Sequence, residues 1–197
     1  PDGKKLVVSA KSAGEDALYI VDVKTGDYQK KLFGIRSLSS ALWSPDGSTI
    51  AFVASDGEQP DMWIYDVKTG EIIRATDDIF TDMFPAWSPD SKHFAFSIFS
   101  KGKNQMLIVN VANGNTILKT DMGKVEQFSN LTWSPNGKDI AFSGLVEGQS
   151  DIFSYNLDTK LVTQLTNDEY SDYAPSFSPD GNKIVFSSDR ASTQSGN

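Results

Sequence analysis

Apolar residues in this chain come in short runs separated by turn residues, and no segment sustains the 3.6-residue period of an amphipathic helix. One series of runs comprises Leu6-Val7-Val8, Ile50-Ala51-Phe52-Val53, Phe94-Ala95-Phe96, Ile140-Ala141-Phe142 and Ile184-Val185-Phe186. A second comprises Leu18-Tyr19-Ile20-Val21, Met62-Trp63-Ile64-Tyr65, Met106-Leu107-Ile108-Val109 and Ile152-Phe153-Ser154-Tyr155, closed by Asp22, Asp66, Asn110 or Asn156. β-branched and aromatic residues dominate both series and suit the pleated surface of a sheet, so each run is predicted to be a buried strand. Lys24-Thr25-Gly26 and Lys68-Thr69-Gly70 follow the second series, where glycine admits the positive φ of a tight hairpin.

The pattern recurs along the chain. Ser-Pro-Asp-Gly or a close variant places its proline at Pro1, Pro45, Pro89, Pro135 and Pro179, with spacings of 44, 44, 46 and 44. The units are 1–44, 45–88, 89–134, 135–178 and a partial 179–197. In each, a third strand leads to Thr76 or Thr166, and a fourth passes through Trp43, Trp87, Trp133 or Phe177 into Ser44, Ser88, Ser134 or Ser178. Four short antiparallel strands per unit of this length make one blade of an all-β propeller. Solenoids of helix pairs have similar periods, but the β-branched and aromatic triplets contradict them. The opening Pro1-Asp2-Gly3 falls inside a repeat, so the sequence is expected to be a piece of a longer protein.

The repeat reads Pro-x-Trp-Ser-Pro-Asp-Gly-x-x-Ile-Ala-Phe, then Asp-x-Trp-x-Tyr-Asp-x-x-Thr-Gly and a closing Leu-Thr. Pro85-Ala86-Trp87-Ser88-Pro89-Asp90, Leu165-Thr166 and the segment from Trp43 to Phe52 show it well. In these residues the chain resembles TolB-type β-propellers. Related blades occur in the prolyl oligopeptidase and dipeptidyl peptidase IV family and in large bacterial surface proteins. The resemblance implies four blades and part of a fifth from a ring of six or more. It also implies a periplasmic or cell-surface setting and a role in binding envelope proteins, with the remaining blades or domains of the parent as further partners. Asn136 in place of Asp, Ser91 in place of Gly and Phe177 in place of Trp depart from the pattern at structural positions.

Connections in an antiparallel blade alternate between the two ends of the sheet. The Ser-Pro-Asp-Gly and Thr-Gly turns therefore share one face, nearly uniform from unit to unit. The other face is varied: Ser9 to Asp16, Ala54 to Asp61, Ser97 to Gln105 and Ser143 to Asp151 are expected to be loops there, together with the longer inter-blade connections. The two extra residues of the third unit lie within Asn115 to Asn130, in the outer strand and its return loop. Variable loops on a rigid scaffold are where binding usually lives. Acidic residues gather in them, and Asp77, Asp78, Asp82, Asp168 and Asp172 are the candidate binding residues, suited to a basic protein or peptide. Asp82 and Asp172 each stand five residues before the aromatic of the innermost strand, at the mouth of the expected channel, in register with Leu38 and Phe128. The competing reading is that such acids cap turns or accept backbone N–H bonds.

Composition narrows the functions further. A net charge of −8 disfavours nucleic acid and an anionic membrane surface as partners, and no apolar run nears the length of about 18 residues of a spanning helix. Without cysteine there is no disulfide, thiolate metal site or Cys nucleophile. His93, the only histidine, aligns with Lys5, Thr49, Asp139 and Lys183 beside the turn, which argues against catalysis. The nearest approach to a nucleophile elbow, Gly148-Gln149-Ser150-Asp151-Ile152, lacks the second glycine and is expected in a loop. Asn130-Leu131-Thr132 fits a glycosylation pattern, yet falls in an inner strand where a glycan is not expected to fit. No cofactor, metal site or catalytic motif is predicted. The expected function is a non-catalytic protein- or peptide-binding scaffold of an extracytoplasmic bacterial protein. The alternative is the gating propeller of a prolyl-oligopeptidase-like serine peptidase with its catalytic domain outside this chain.

Overall fold

The computed structural model describes residues 1–12, 14–100 and 102–190, so that residues 191–197 of the fifth repeat lie outside the described residues. Within them the chain is strand and turn, with no helix. It forms two compact units, Pro1–Asp121 and Met122–Asn197.

The first unit holds three antiparallel sheets. β1 (Lys5–Ser12), β2 (Glu15–Asp22) and β3 (Tyr28–Lys31) form the first. The second is β4 (Ser37–Trp43), β5 (Thr49–Ser55), β6 (Asp61–Asp66) and β7 (Ile72–Arg74). The third is β8 (Asp82–Trp87), β9 (His93–Ser100), β10 (Lys103–Asn110) and β11 (Thr116–Asp121). In the second unit β12 (Gln127–Trp133), β13 (Asp139–Val146), β14 (Gln149–Asn156) and β15 (Val162–Gln164) form a four-stranded sheet. β16 (Asp172–Phe177) and β17 (Ile184–Ser188) form a two-stranded one. Each full sheet is a propeller blade in strict meander order. The hydrogen-bonded blade begins one strand before the Ser-Pro-Asp-Gly turn, because that turn closes the hairpin between the first two strands, as at β4 and β5. Sequence units cut at the proline thus divide each sheet between its first and second strands.

The turns show why the motif recurs. Ser44 Oγ donates to Asp46 Oδ1 at 2.6 Å and accepts the Thr49 N–H at 3.0 Å, while Asp46 Oδ1 also accepts the Ser48 N–H at 3.0 Å. The same serine-to-Asx bond recurs at Ser88–Asp90, Ser134–Asn136 and Ser178–Asp180. Hydrogen bonds from Ser44 and the Ser48 N–H hold the Asp46 carboxyl below its ordinary range. Asparagine at 136 serves as well as aspartate because the turn needs only an acceptor oxygen.

Blades pack face to face within the first unit. Met62 and Ile64 of β6 meet Trp87, Phe94, Phe96 and Ile98 in one apolar cluster, and Leu18 and Ile20 of β2 meet Ile50, Phe52 and Tyr65 in another. Trp87 Nε1 donates to the Leu42 carbonyl of the preceding blade at 3.3 Å, so the recurrent aromatic both fills the interface and satisfies its polar atom. In the second unit Phe142 stacks on Phe153 with ring centroids 5.9 Å apart.

Three of the four expected variable loops are largely strand. The ladders β1–β2, β9–β10 and β13–β14 run on to Ser12–Glu15, Ser100–Lys103 and Val146–Gln149, and only 56–60 remains a loop of five residues. Gly14, Gly102 and Gly148 take positive φ at the hairpin tips, with Glu147 also at φ 51 as a two-residue turn demands. Gln149-Ser150-Asp151-Ile152 is accordingly part of β14 rather than a loop. The extra length of the third unit falls in the region of β11, whose six residues compare with four in β3 and three each in β7 and β15.

Every inner strand that starts a sheet also carries a bulge. Ser40, Phe84, Asn130 and Ala174 adopt φ of 54, 55, 54 and 51, each at a register shift in its ladder. Asn130 does lie in an inner strand, but its side chain is exposed at this bulge.

Candidate functional site

In the first unit the candidate acids belong to a small polar network at the end of the sheets opposite the Ser-Pro-Asp-Gly turns. Asp61 opens β6 and is buried, and Arg74, which ends β7, donates from Nε to Asp61 Oδ2 at 3.0 Å with Nη2 on the same oxygen. The remaining guanidinium nitrogen, Nη1, lies 3.1 Å from Asp77 Oδ1. Arg74 therefore bridges a buried carboxylate and an exposed one, with its plane over the Trp63 ring. Thr76 Oγ1 accepts the Met62 N–H at 2.9 Å and donates to Asp82 Oδ2, which lies 3.2 Å from the same N–H. Asp78 Oδ1 accepts the Phe80 N–H at 2.8 Å, an Asx turn that shapes the 75–81 connection.

Asp82 is fully buried, and Oδ1 has no hydrogen-bond partner among the described residues. Burial pushes its carboxyl up to about 7; Thr76 and the Met62 N–H pull the other way, and the charges of Asp78 and Asp61 add to the rise. Burial also raises Asp61, with Arg74 offsetting part of the effect. Asp82 thus ties the inner strand of one blade to β6 of the blade before it. At the preceding junction the acid comes from the other side: Leu38 occupies the register of Asp82, and its N–H is taken by Asp16 Oδ2 of the earlier blade at 2.9 Å.

The second unit repeats the plan with different side chains. Gln164 stands in the register of Arg74 and donates to Asp151 Oδ2 at 2.9 Å, while Thr166 Oγ1 accepts the Ile152 N–H at 2.9 Å. Asp168 Oδ1 accepts the Tyr170 N–H at 2.9 Å and pairs with Arg190; these two contacts, the first foremost, keep its carboxyl below the ordinary range. Asp172 is fully buried, 3.3 Å from Arg190 Nη2, with Oδ1 unpartnered among the described residues. Gln149 Nε2 braces the 165–171 connection by donating to the Asp168 and Tyr170 carbonyls at 2.9 and 2.6 Å.

Of the five candidate acids, then, Asp77, Asp78 and Asp168 stand on the surface, while Asp82 and Asp172 are buried. Arg74 and Arg190 balance part of the charge, and sequence reasoning passed over both. The clue to Arg74 was cross-strand pairing, Trp63 with Arg74 and Phe153 with Gln164. His93 serves its turn through its backbone, with Nδ1 3.7 Å from Asp90. Ser150 Oγ donates to the Asp172 carbonyl at 3.1 Å and stands in a structural role. Among the described residues no three His, Asp or Glu side chains converge as metal ligands.

Meander blades of four strands with a Ser-Pro-Asp-Gly hairpin define the protein as a β-propeller. Residues 79–195 match the PD40 family, the TolB beta propeller domain, and the chain belongs to that family. It is similar to the crystal structure of TolB from Acinetobacter baumannii, with 28% identity and a TM-score of 0.76 over 94% of this chain and 46% of that one. A putative TolB from Agrobacterium tumefaciens shares the fold at 24% identity and a TM-score of 0.77, over 94% of this chain and 66% of that one. An oligogalacturonate lyase in complex with manganese shares the fold too, at 16% identity and a TM-score of 0.73, over 95% of this chain and 56% of that one. An uncharacterized protein of Agrobacterium fabrum is 40% identical over 58 residues, which are 29% of this chain and 20% of that protein. The chain spans about half the length of the Acinetobacter TolB and a fifth of the Agrobacterium fabrum protein.

Proposed function

We propose that this chain is a non-catalytic binding module of an extracytoplasmic bacterial protein and engages a basic protein or peptide through its acidic connections. The observation that carries this reading is the division of labour among the acids. Asp82 and Asp172 are buried and fix the inner strands, so that Asp77 and Asp78 in one unit and Asp168 in the other are presented on connections held by Asx turns and buried hydrogen bonds. Preformed loops bearing exposed charge suit recognition, because little ordering is needed on binding. The periplasmic or cell-surface setting is supported by similarity to TolB alone. A partner recovered by cross-linking to the parent protein supplies the test. Hydrogen exchange in the complex is expected to slow at 75–81 and 165–171 and to stay unchanged at the Ser-Pro-Asp-Gly turns. Protection confined to those turns would overturn the assignment of the face.

A further inference from the structure

The connection 75–81 carries one apolar side chain that the fold turns outward. Asp78 Oδ1 accepts the Phe80 N–H at 2.8 Å, and Phe80 packs on the cluster of Trp87, Phe94 and Phe96, with Lys119 Nζ 4.9 Å from its ring centroid. Ile79 lies between these two fixed residues, at the crest of the Asx turn, and is 78% exposed. Its counterparts by register are Ile35, Val125 and Glu169. Ile35 and Val125 are buried, whereas Glu169 crowns the equivalent Asx turn of Asp168 and Tyr170 and is exposed. The turn thus accepts a charged residue at its crest, and folding alone gives no reason for an aliphatic one. Exposed acids accompany Ile79: Asp77 and Asp78 precede it, and Asp56 and Glu58 lie on the 56–60 loop, which the Asp82 N–H ties to the base of the connection by donating to the Pro60 carbonyl at 3.0 Å. Ile98 pairs with Asp82, so Phe99, also exposed, stands at the same end of the third sheet.

We propose that Ile79 is the apolar anchor of the binding face and that the partner meets it with a basic amphipathic helix. The inference rests on the acidic connections being that face, as proposed above, and names the structure they recognise. A helix of this kind carries an apolar stripe between rows of Lys and Arg. The stripe covers Ile79 and Phe99, and the cations meet Asp77, Asp78, Asp56 and Glu58. Charge complementarity selects the basic partner, but exposed ion pairs add little affinity, so a braced aliphatic side chain supplies the buried contact that charge does not. An extended peptide would need a sheet edge for its backbone, which the crest of an Asx turn does not offer; the face of a helix needs only apolar contact.

The test uses the 197-residue chain with ¹³C-labelled isoleucine methyl groups and three synthetic peptides of equal charge. The first is a lysine-rich helix of about five turns with a single stripe of leucine. The second replaces the leucines by alanine, and the third permutes the first so that no stripe forms. The leucine-striped peptide is expected to shift the Ile79 signal, assigned by its loss in Ile79→Ser, and to leave that of Ile117, exposed on β11, in place. Ile79→Ser should weaken its binding by about tenfold and leave that of the alanine peptide unchanged. Asp77→Asn combined with Asp78→Asn, which keeps an acceptor for the Asx turn, should weaken both helices. No shift at Ile79 with about 1 mM of the leucine-striped peptide, an equal shift at Ile117, or an equal response to the permuted peptide would overturn the proposal. If the two helices bind alike and only the asparagine pair weakens them, the acidic face stands and the anchor is wrong. If Ile79→Ser weakens binding and the asparagine pair does not, the acidic face is wrong, and the basic partner with it.

Discussion

Asp82 sets burial against charge more sharply than any other residue of the first unit. Its folded value of about 7 lies above the ordinary 3.8, so between those limits the folded state holds a proton that the unfolded state has released. Its contribution to stability is therefore present near pH 4 and lost as pH rises through 7, by on the order of 4 kcal/mol in all. Asp82→Asn removes that titration. Measured by urea denaturation, the variant should gain on the wild type as pH rises from 4 to 7, whereas a constant difference would contradict the buried, proton-holding carboxyl. Burial of this acid was legible in its register after all: Leu38, Phe128 and Asp172 share its column, and all four are buried. Apolar counterparts in register mark an interior position, and that weight belonged to Leu38 and Phe128 when the two acids were set at the mouth of the expected channel. Trp87 presents the simpler case, since its column repeats an aromatic and it is 7% exposed. Trp87→Ala is expected to cost about 3 to 5 kcal/mol, and a loss below about 1 kcal/mol in denaturant would show that the ring packs little.

At the scale of the strand, positions were readable wherever the sequence repeats its apolar triplets, and strand ends were not. Polar residues such as Ser143 and Gln149 look like loop when read singly, yet they extend ladders whose tips are marked only by a glycine at the second turn position. The inner-strand bulge was equally hidden, because Ser40, Phe84, Asn130 and Ala174 share a backbone conformation and no chemistry. Only the asparagine suits positive φ by nature. Ala174 is exposed at φ 51, so Ala174→Gly should leave stability unchanged or raise it by up to about 1 kcal/mol, the relief of strain exceeding the entropy cost of glycine. A loss beyond about 1 kcal/mol on thermal denaturation would mean that the bulge is not strained there. Gly144 behaves oppositely. A Cβ there would stand 2.7 Å from Phe153 Cδ2 and 2.9 Å from Val125 Cγ1, so Gly144→Ala should destabilise by about 1 to 3 kcal/mol, as overpacking does, when followed in urea.

For the molecule as a whole, charge and repetition carry different kinds of information. Repetition reveals the fold because every blade must solve the same packing problem, and it makes the Ser-Pro-Asp-Gly turns alike. What differs between blades here is the chemistry of the connections, and the proposed binding role rests on it: Arg74 with Asp77 in one blade, Gln164 in the same register in another, and Arg190 with Asp168 beyond it. A net charge of −8 is too diffuse to choose a face, and the proposed face rests instead on exposed acids carried by braced loops. Association kinetics with the proposed basic partner, followed by stopped flow at two salt concentrations, test this most directly. Neutralising Asp77, Asp78 and Asp168 together should slow association several-fold and flatten its salt dependence, since rim charges act through steering. Neutralising three exposed acids on the turns between the second and third strands of each repeat, Asp27, Glu71 and Asp158, should leave the rate nearly unchanged. Equal slowing by the two sets would mean that net charge alone governs the encounter, and the assignment of a binding face would be wrong.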